Sequence, residues 1–271
     1  MTLTGKLVLK AAEKNGRTIL TDTYFDGAFK LSRPVFFDDQ VPTYFLIHVG
    51  GGYVSGDTYH QSFHLEEGAE LTLTTQSAAK VYKTTGGPAR QHTDIYLGQD
   101  SFLTLLQDPV IAFEHARYAQ ETAVRMEKGS GLILTDIFTP GWSEDRREFS
   151  YDWIRSRMDV FYEGKRIIYD NLVLQREDLL SSMLQLEGFT HYGSLLFIHE
   201  ELNETVMEMI WGKAESFQGI RAGMSRLTVN GFFLRILANQ TQVIEKAFSE
   251  CETILRKKVL KKMTGVFYRK Y

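Results

Sequence analysis

Residues Gly51 to Thr58 read GGYVSGDT, a frame of glycine, four residues, glycine, then Asp57-Thr58. A phosphate-binding P-loop has the same frame but closes on Lys followed by Ser or Thr, the lysine serving as the cation on the β and γ phosphates. Asp57 in that place would repel them. His60 and His64 come directly after, and histidines four apart on a helix converge on one metal ion. Serine-hydrolase chemistry would need Gly-x-Ser-x-Gly, which does not occur, and the single cysteine, Cys251, has no second thiol to join. Adjacent carboxylates stand at Asp38-Asp39, Glu66-Glu67, Glu144-Asp145 and Glu200-Glu201. Such neighbours on loops and helix starts read as solvated faces.

The elements around these residues decide between the readings. A P-loop opens a helix whose first amides hold the phosphate. From Thr58 the chain instead runs in alternation, TYHQSFHLEEGAELTLTTQ, with Tyr59, Phe63 and Leu65 on one face and His60, Ser62, His64 and Glu66 on the other. On a strand, His60 and His64 lie ~13 Å apart at about 3.3 Å per residue, too far to share an ion with ~2 Å ligand bonds. They read as solvated strand histidines, and spacing along the chain offers no metal cluster, no catalytic set and no cofactor fingerprint. The glycines then have a backbone role, as positive-φ turn residues or points of close approach: Gly51, Gly52 and Gly56 are structural candidates.

The rest of the chain is mainly β for two thirds of its length. KLVLKAAEKNGRTILTDTYF has β-rich arms around Asn15-Gly16, a pair favoured in two-residue hairpins, and TYFLIHV (43–49) is a further strand. GAELTL (68–73), DSFLTL (100–105) and GSGLIL (129–134) each present a turn residue and then two leucines, at 71/73, 103/105 and 132/134. These offsets of 32 and 29 residues point to stacked or winding β layers. In the last third, helical spacing is expected over Asn171–Leu186, a strand over 193–199, and a helix over 203–214 capped by Asn203. A hairpin is expected around Asn230-Gly231, then a final helix from about Gln240 whose apolar stripe includes Cys251. The expected fold is a β-helix-like stack with two to three helices in the C-terminal third. One domain over 1–271 is expected, a β-rich body over about 1–165 with an α+β section over about 166–271 packed on it.

Of the 271 residues, 43% are hydrophobic, and 31 Lys and Arg stand against 34 Asp and Glu, a net charge of −3. That balance gives no field for nucleic acid or an anionic membrane. Arg256 to Tyr271 departs from it with seven basic residues and no acid, read either as a solvated helix end or as a face for an acidic partner. One cysteine, no leader-like apolar core and no long apolar run lead to the expectation of a cytoplasmic protein.

GGGYVSGD (50–57), with GAELTLTTQSAAKVYKT (68–84), Gln91 and LLQDPVIAFEHARYAQ (105–120) after it, resembles the UreD (also UreH) family of urease accessory proteins. SRMDV (156–160) and RAGMSRLTVNGFFLRILA (221–238) extend the likeness over most of the chain, while PGWSEDRREF (140–149) departs from it at Trp142 and Arg147. The resemblance implies a β-helix-like, non-enzymatic maturation factor. Its implied partners are UreF, the GTPase UreG and apo-urease, and its implied task is nickel delivery to the dinuclear urease site. No tightly bound cofactor is expected, only nickel handled transiently within the complex. In the matched stretches, Asp57, Gln76, Lys80, Tyr82 and Gln91 are the candidates for an interface or a conduit, since hard oxygen ligands release a dication that His and Cys clusters would retain. The other reading of these five is that they only satisfy turns and strand ends. A β-rich ligand- or carbohydrate-binding module and a degenerate P-loop-like enzyme are the competing functions.

Overall fold

A computed structural model of the chain describes residues 3–37, 41–176 and 185–262. It opens on the hairpin β1 (Gly5–Lys14) and β2 (Arg17–Gly27), closed by Asn15 and Gly16 at φ 55° and 76°. Positive φ at both central residues gives the turn whose twist matches that of paired strands. The chain continues through β3 (Phe29–Leu31), β4 (Val35–Phe36), β5 (Pro42–His48), β6 (Thr58–Leu65), β7 (Glu70–Thr75) and β8 (Ala79–Val81). Next come β9 (Ala89–Leu97), β10 (Phe102–Leu106), β11 (Val110–Ala112), β12 (Arg117–Met126), β13 (Gly131–Phe138), β14 (Trp153–Tyr162) and β15 (Lys165–Gln175). The last elements are β16 (His191–Ile198), α1 (Glu204–Glu215), β17 (Ile220–Arg226), β18 (Gly231–Ala238) and α2 (Thr241–Lys258).

These strands form a mainly β, solenoid-like stack of coils. One sheet runs β15-β14-β12-β9-β6-β1-β2 and the other β17-β18-β16-β13-β10-β7-β5-β3, with β8 and β11 bridging a short third face. Each coil places one strand in each sheet, so equivalent strands of successive coils pair in parallel. The sequence repeat is the register of that pairing. Leu71, Leu103 and Leu132 are consecutive partners across β7, β10 and β13, as are Leu73, Leu105 and Leu134. All six side chains are at most 2% exposed and lie between the sheets. The offsets of 32 and 29 residues are therefore coil lengths.

A second apolar core lies on the other side of the second sheet, where Phe102, Ile133, Leu195, Phe197 and Leu234 meet Ile210 of α1 and Ile244 and Phe248 of α2. Asn203 caps α1 by accepting from the Val206 amide at 3.1 Å, as the sequence implied. Cys251 is buried in the α2 stripe, and burial pushes its thiol up to about 12.

Three expectations are corrected in the last third. Asn171 to Gln175 belongs to β15, with Leu172 opposite Ser156 and Leu174 opposite Ile154 of β14, and not to a helix; residues 177–184 of that stretch lie outside the described residues. Pairing with a long neighbouring strand overrides a local leucine spacing that fits either period. The first arm of the late hairpin is β17, which ends at Arg226, so Leu227 to Val229 are loop and not strand. Finally, Arg256 is no solvated helix-end cation: it is buried and paired with Glu252 at 2.7 Å. Lys262 pairs with Glu70, while Arg269 and Lys270 lie outside the described residues.

Candidate functional site: a polar chamber between the sheets

The space between the two sheets changes character along the strands. In the second sheet the inward positions run Leu71, Leu73, Thr75; Leu103, Leu105, Gln107; and Leu132, Leu134, Asp136. In the first sheet they run Tyr59, Gln61, Phe63, Leu65; Gln91, Thr93, Ile95, Leu97; and Gln120, Thr122, Val124, Met126. Each series is apolar at one end and polar at the other. The polar ends face one another across a cavity of ≈ 340 Å³ whose lining includes Gln61, Gln91, Gln120, Thr75, Gln107 and Asp136. Six waters at about 30 Å³ each would fill ~180 Å³, so a hydrated dication is within its capacity. Gly51, Ser77 and Lys80, also in the lining, are exposed, which opens the cavity to solvent at that side.

The glycine-rich loop forms part of this wall. Gly52 has φ 146°, and a Cβ there would stand 2.6 Å from the Lys80 carbonyl oxygen and 2.7 Å from the Tyr82 ring. Only glycine lets the loop approach β8 closely enough for the Tyr53 amide to donate to the Lys80 carbonyl at 2.7 Å. Gly56 (φ 81°) completes the next turn, in which Asp57 Oδ2 accepts from the Val54 amide at 2.8 Å and the Tyr59 hydroxyl at 2.9 Å. The Gly56 amide donates to the Gly87 carbonyl. These amides are engaged within the protein, and Thr58 opens strand β6, so the loop offers no helix-borne phosphate cradle.

Behind the loop sits an aromatic cluster. The His48 ring packs edge-on against Phe29, Tyr53 and Tyr59 at 5.8, 4.9 and 5.1 Å, and both its nitrogens are buried with no hydrogen-bond partner among the described residues. Desolvation holds its pKa below the usual value against the pull of nearby Asp57, which keeps the ring neutral. The Tyr53 hydroxyl donates to Gln91 Oε1 at 2.5 Å, and the Tyr53 ring stacks on Tyr118 at 5.6 Å. Burial raises the hydroxyl pKa of Tyr53 and of Tyr118, so neither ionises near neutrality.

Asp136 is buried in the chamber wall. Its side chain is in β13, beside Thr135 in a run otherwise of Gly, Leu, Ile and Phe, and Gln107 Nε2 donates to its Oδ1 at 2.9 Å. Burial raises its carboxyl to about 7, against a hydrogen bond from Gln120 that lowers it and the charge of Asp170 that raises it further. Beyond Asp136, Arg235 donates to Asp170 at 2.7 Å and to the Tyr192 hydroxyl at 3.1 Å. Arg235 and Tyr192 in turn line a second cavity of ≈ 420 Å³ on the far side. Asp136 lines the first cavity, and Asp170, whose charge acts on it, is bonded to Arg235 in the lining of the second.

Of the five residues singled out in the sequence, the structure brings two to the chamber: Gln91 inside it and Lys80 at its exposed side. Asp57 is a buried turn cap, Gln76 is an exposed residue whose amide donates to the Leu46 carbonyl, and Tyr82 donates its hydroxyl to the Gly51 carbonyl at 3.2 Å. Sequence reasoning passed over His48, Gln120 and Asp136. The repeat held the signal for one of them, since Gln91 and Gln120 are register partners at the same offset of 29 that separates the leucines. In the departing loop, Trp142 is half exposed against Phe113, and Arg147 pairs with Glu114 at 2.9 Å.

Fold and chamber together define a β-solenoid-like protein with a polar cavity between its sheets. A family model described as "UreD urease accessory protein" matches residues 3–266. The chain is 43% identical to the urease accessory protein UreD of Bacillus sp. (strain TB-90), over 100% of both chains. It is 40% identical to UreD of Lachnoclostridium phytofermentans, over 99% of this chain and 98% of that one. Against UreD of Staphylococcus aureus (strain bovine RF122 / ET3-1) the identity is 32%, with the same coverage. The chain belongs to the UreD family of urease accessory proteins. Among the described residues, no helix is long and apolar enough to cross a membrane.

Proposed function

We propose that this chain is a non-catalytic urease maturation factor of the cytoplasm. In this reading it joins UreF and the GTPase UreG, docks with them on apo-urease, and conducts nickel toward the dinuclear site through its polar chamber. The observation that carries the conduit is Asp136. A buried carboxyl raised to about 7 lines a chamber whose walls also carry the oxygen-bearing side chains of Gln61, Gln91, Gln120 and Thr75. Such hard oxygen donors bind a hydrated first-row dication weakly and release it, whereas thiolate or multi-imidazole sets would hold it. A carboxyl that is half ionised near neutrality can take up the cation as a carboxylate and be left protonated when the cation moves on. Nucleotide hydrolysis falls to the partner GTPase, in keeping with a glycine loop whose amides are engaged internally.

The test is co-expression of the urease genes with wild-type chain or with Asp136→Asn, and then affinity capture of the accessory complex. The conduit reading expects the variant to co-purify with UreF and UreG at wild-type yield while urease nickel content falls at least severalfold. Wild-type nickel loading by the variant would refute the conduit. Loss of co-purification would instead assign Asp136 to complex formation.

A further inference from the structure

The two histidines rejected as a pair along the chain are set apart by the fold, and one of them belongs to a cluster built across it. His60 on β6 and His92 on β9 are register partners on the outward face of the first sheet, and their rings lie near-parallel at 5.7 Å. Asp94, two residues on from His92 and on the same face, aims one oxygen at both. His60 Nε2 lies 3.0 Å from Asp94 Oδ2, and His92 Nε2 lies 3.3 Å from that same atom. One ligand atom from each of the three residues falls within 4.8 Å of the others. At bond lengths of ~2.1 Å, two ligands on one ion stand about 3.0–3.4 Å apart. Both histidine-to-aspartate separations already match that edge, and a small rotation of the two part-exposed rings closes the third.

The surroundings favour a cation. Across the sheet from Asp94 stand Ser62 and Ala123, both small, which leaves room above the carboxylate. His92 Nδ1 faces Glu121 Oε2 at 3.6 Å, which places a second carboxylate beside the ring at the nitrogen not turned to Asp94. Arg125 reaches the other Asp94 oxygen, Oδ1, at 3.7 Å, so it orients the carboxylate without covering Oδ2. Lys6, the register partner of His60 on β1, lies over the Tyr24 ring at 5.9 Å.

We infer that His60, His92 and Asp94 form a surface site for a divalent first-row transition cation, with two imidazole nitrogens and one carboxylate oxygen on one side of the ion and water on the other. Two imidazoles suit nickel, zinc or copper over magnesium or calcium. The open positions leave the bound ion accessible to a further ligand from a partner. The inference is independent of the chamber, because every residue in it points away from the interior.

Calorimetric titration of the full chain with Ni²⁺, repeated with Zn²⁺, tests it. One equivalent of bound ion is expected for wild type and for His64→Ala, whose histidine lies on the same face but stacks on Tyr96 at 4.6 Å. Affinity is expected to fall at least tenfold in His60→Ala, His92→Ala and Asp94→Asn. Unchanged binding in all three variants would overturn the site, as would the absence of binding by wild type. In parallel, paramagnetic Ni²⁺ should broaden the imidazole signals of His60 and His92 before that of His64. Equal broadening of all three would also overturn it.

Discussion

Gln107 donates from Nε2 to Oδ1 of Asp136 at 2.9 Å, and the pair forms the polar end of two leucine ladders that continue into the core. The bond supplies a neutral partner where a cation would have favoured the charged form. Burial therefore dominates, and the carboxyl is held at about 7 against its ordinary 3.8.

That shift has a signed consequence. A carboxyl raised in the folded state stabilises the fold below its ordinary pKa, and this contribution is lost as pH rises through the folded value. Stability should fall between about pH 4 and about pH 7 by on the order of 4 kcal/mol from this group alone. Asp136→Asn, which cannot ionise, should match wild type near pH 4 and exceed it at pH 8. Urea midpoints at the two pH values measure this, and a constant difference between the proteins across the range would contradict the burial of the charge.

Gly52 tests the loop geometry. An added Cβ meets the Lys80 carbonyl at 2.6 Å on a backbone of φ 146°, so Gly52→Ala should destabilise by at least about 2 kcal/mol. Gly16→Ala, with nothing within 4 Å of the new Cβ, should lose only about 1 kcal/mol from the positive φ. Equal midpoints for the two variants would argue against close approach at β8.

The leucine ladder sets a larger scale. Leu73 is fully buried between register partners, and Leu73→Ala should cost about 2–5 kcal/mol. Ile19→Ala, on a 42% exposed side chain of β2, should stay within about 1 kcal/mol. Thermal unfolding of both variants separates core from surface.

Cys251 offers a chemical check on the second core. With its thiol pushed up to about 12 and fully buried, the native chain should not react with a disulfide reagent at about pH 8 over hours. One equivalent should react at once in concentrated guanidinium. Rapid native labelling would show that α2 does not pack as described.

Local chemistry made some of this readable in advance, and coil geometry hid the rest. Asn15-Gly16 and Asn203 announce themselves because a turn and a cap are set by one or two residues. The leucine pairs did more, since their offsets are the coil lengths. The same offset of 32 relates His60 to His92, and 29 relates Gln91 to Gln120. Reading the chain across the repeat would have assembled both the outer cluster and the inner glutamines, whereas reading along it set His60 beside the wrong histidine. Asp136 was passed over because one acid in GLILTDIF looks like an exposed strand position until both faces of its sheet are known to be covered. Leu172 and Leu174 fit a helical spacing until β14 is placed beside them.

The central claim is that this chain is required to load urease with nickel. The direct measurement is nickel per urease active site, with specific activity, after expression of the urease operon with and without this gene at fixed nickel supply. The account predicts near-empty, inactive urease without the gene and restoration when the chain is supplied from a second plasmid. Full nickel content and activity in its absence would contradict the account.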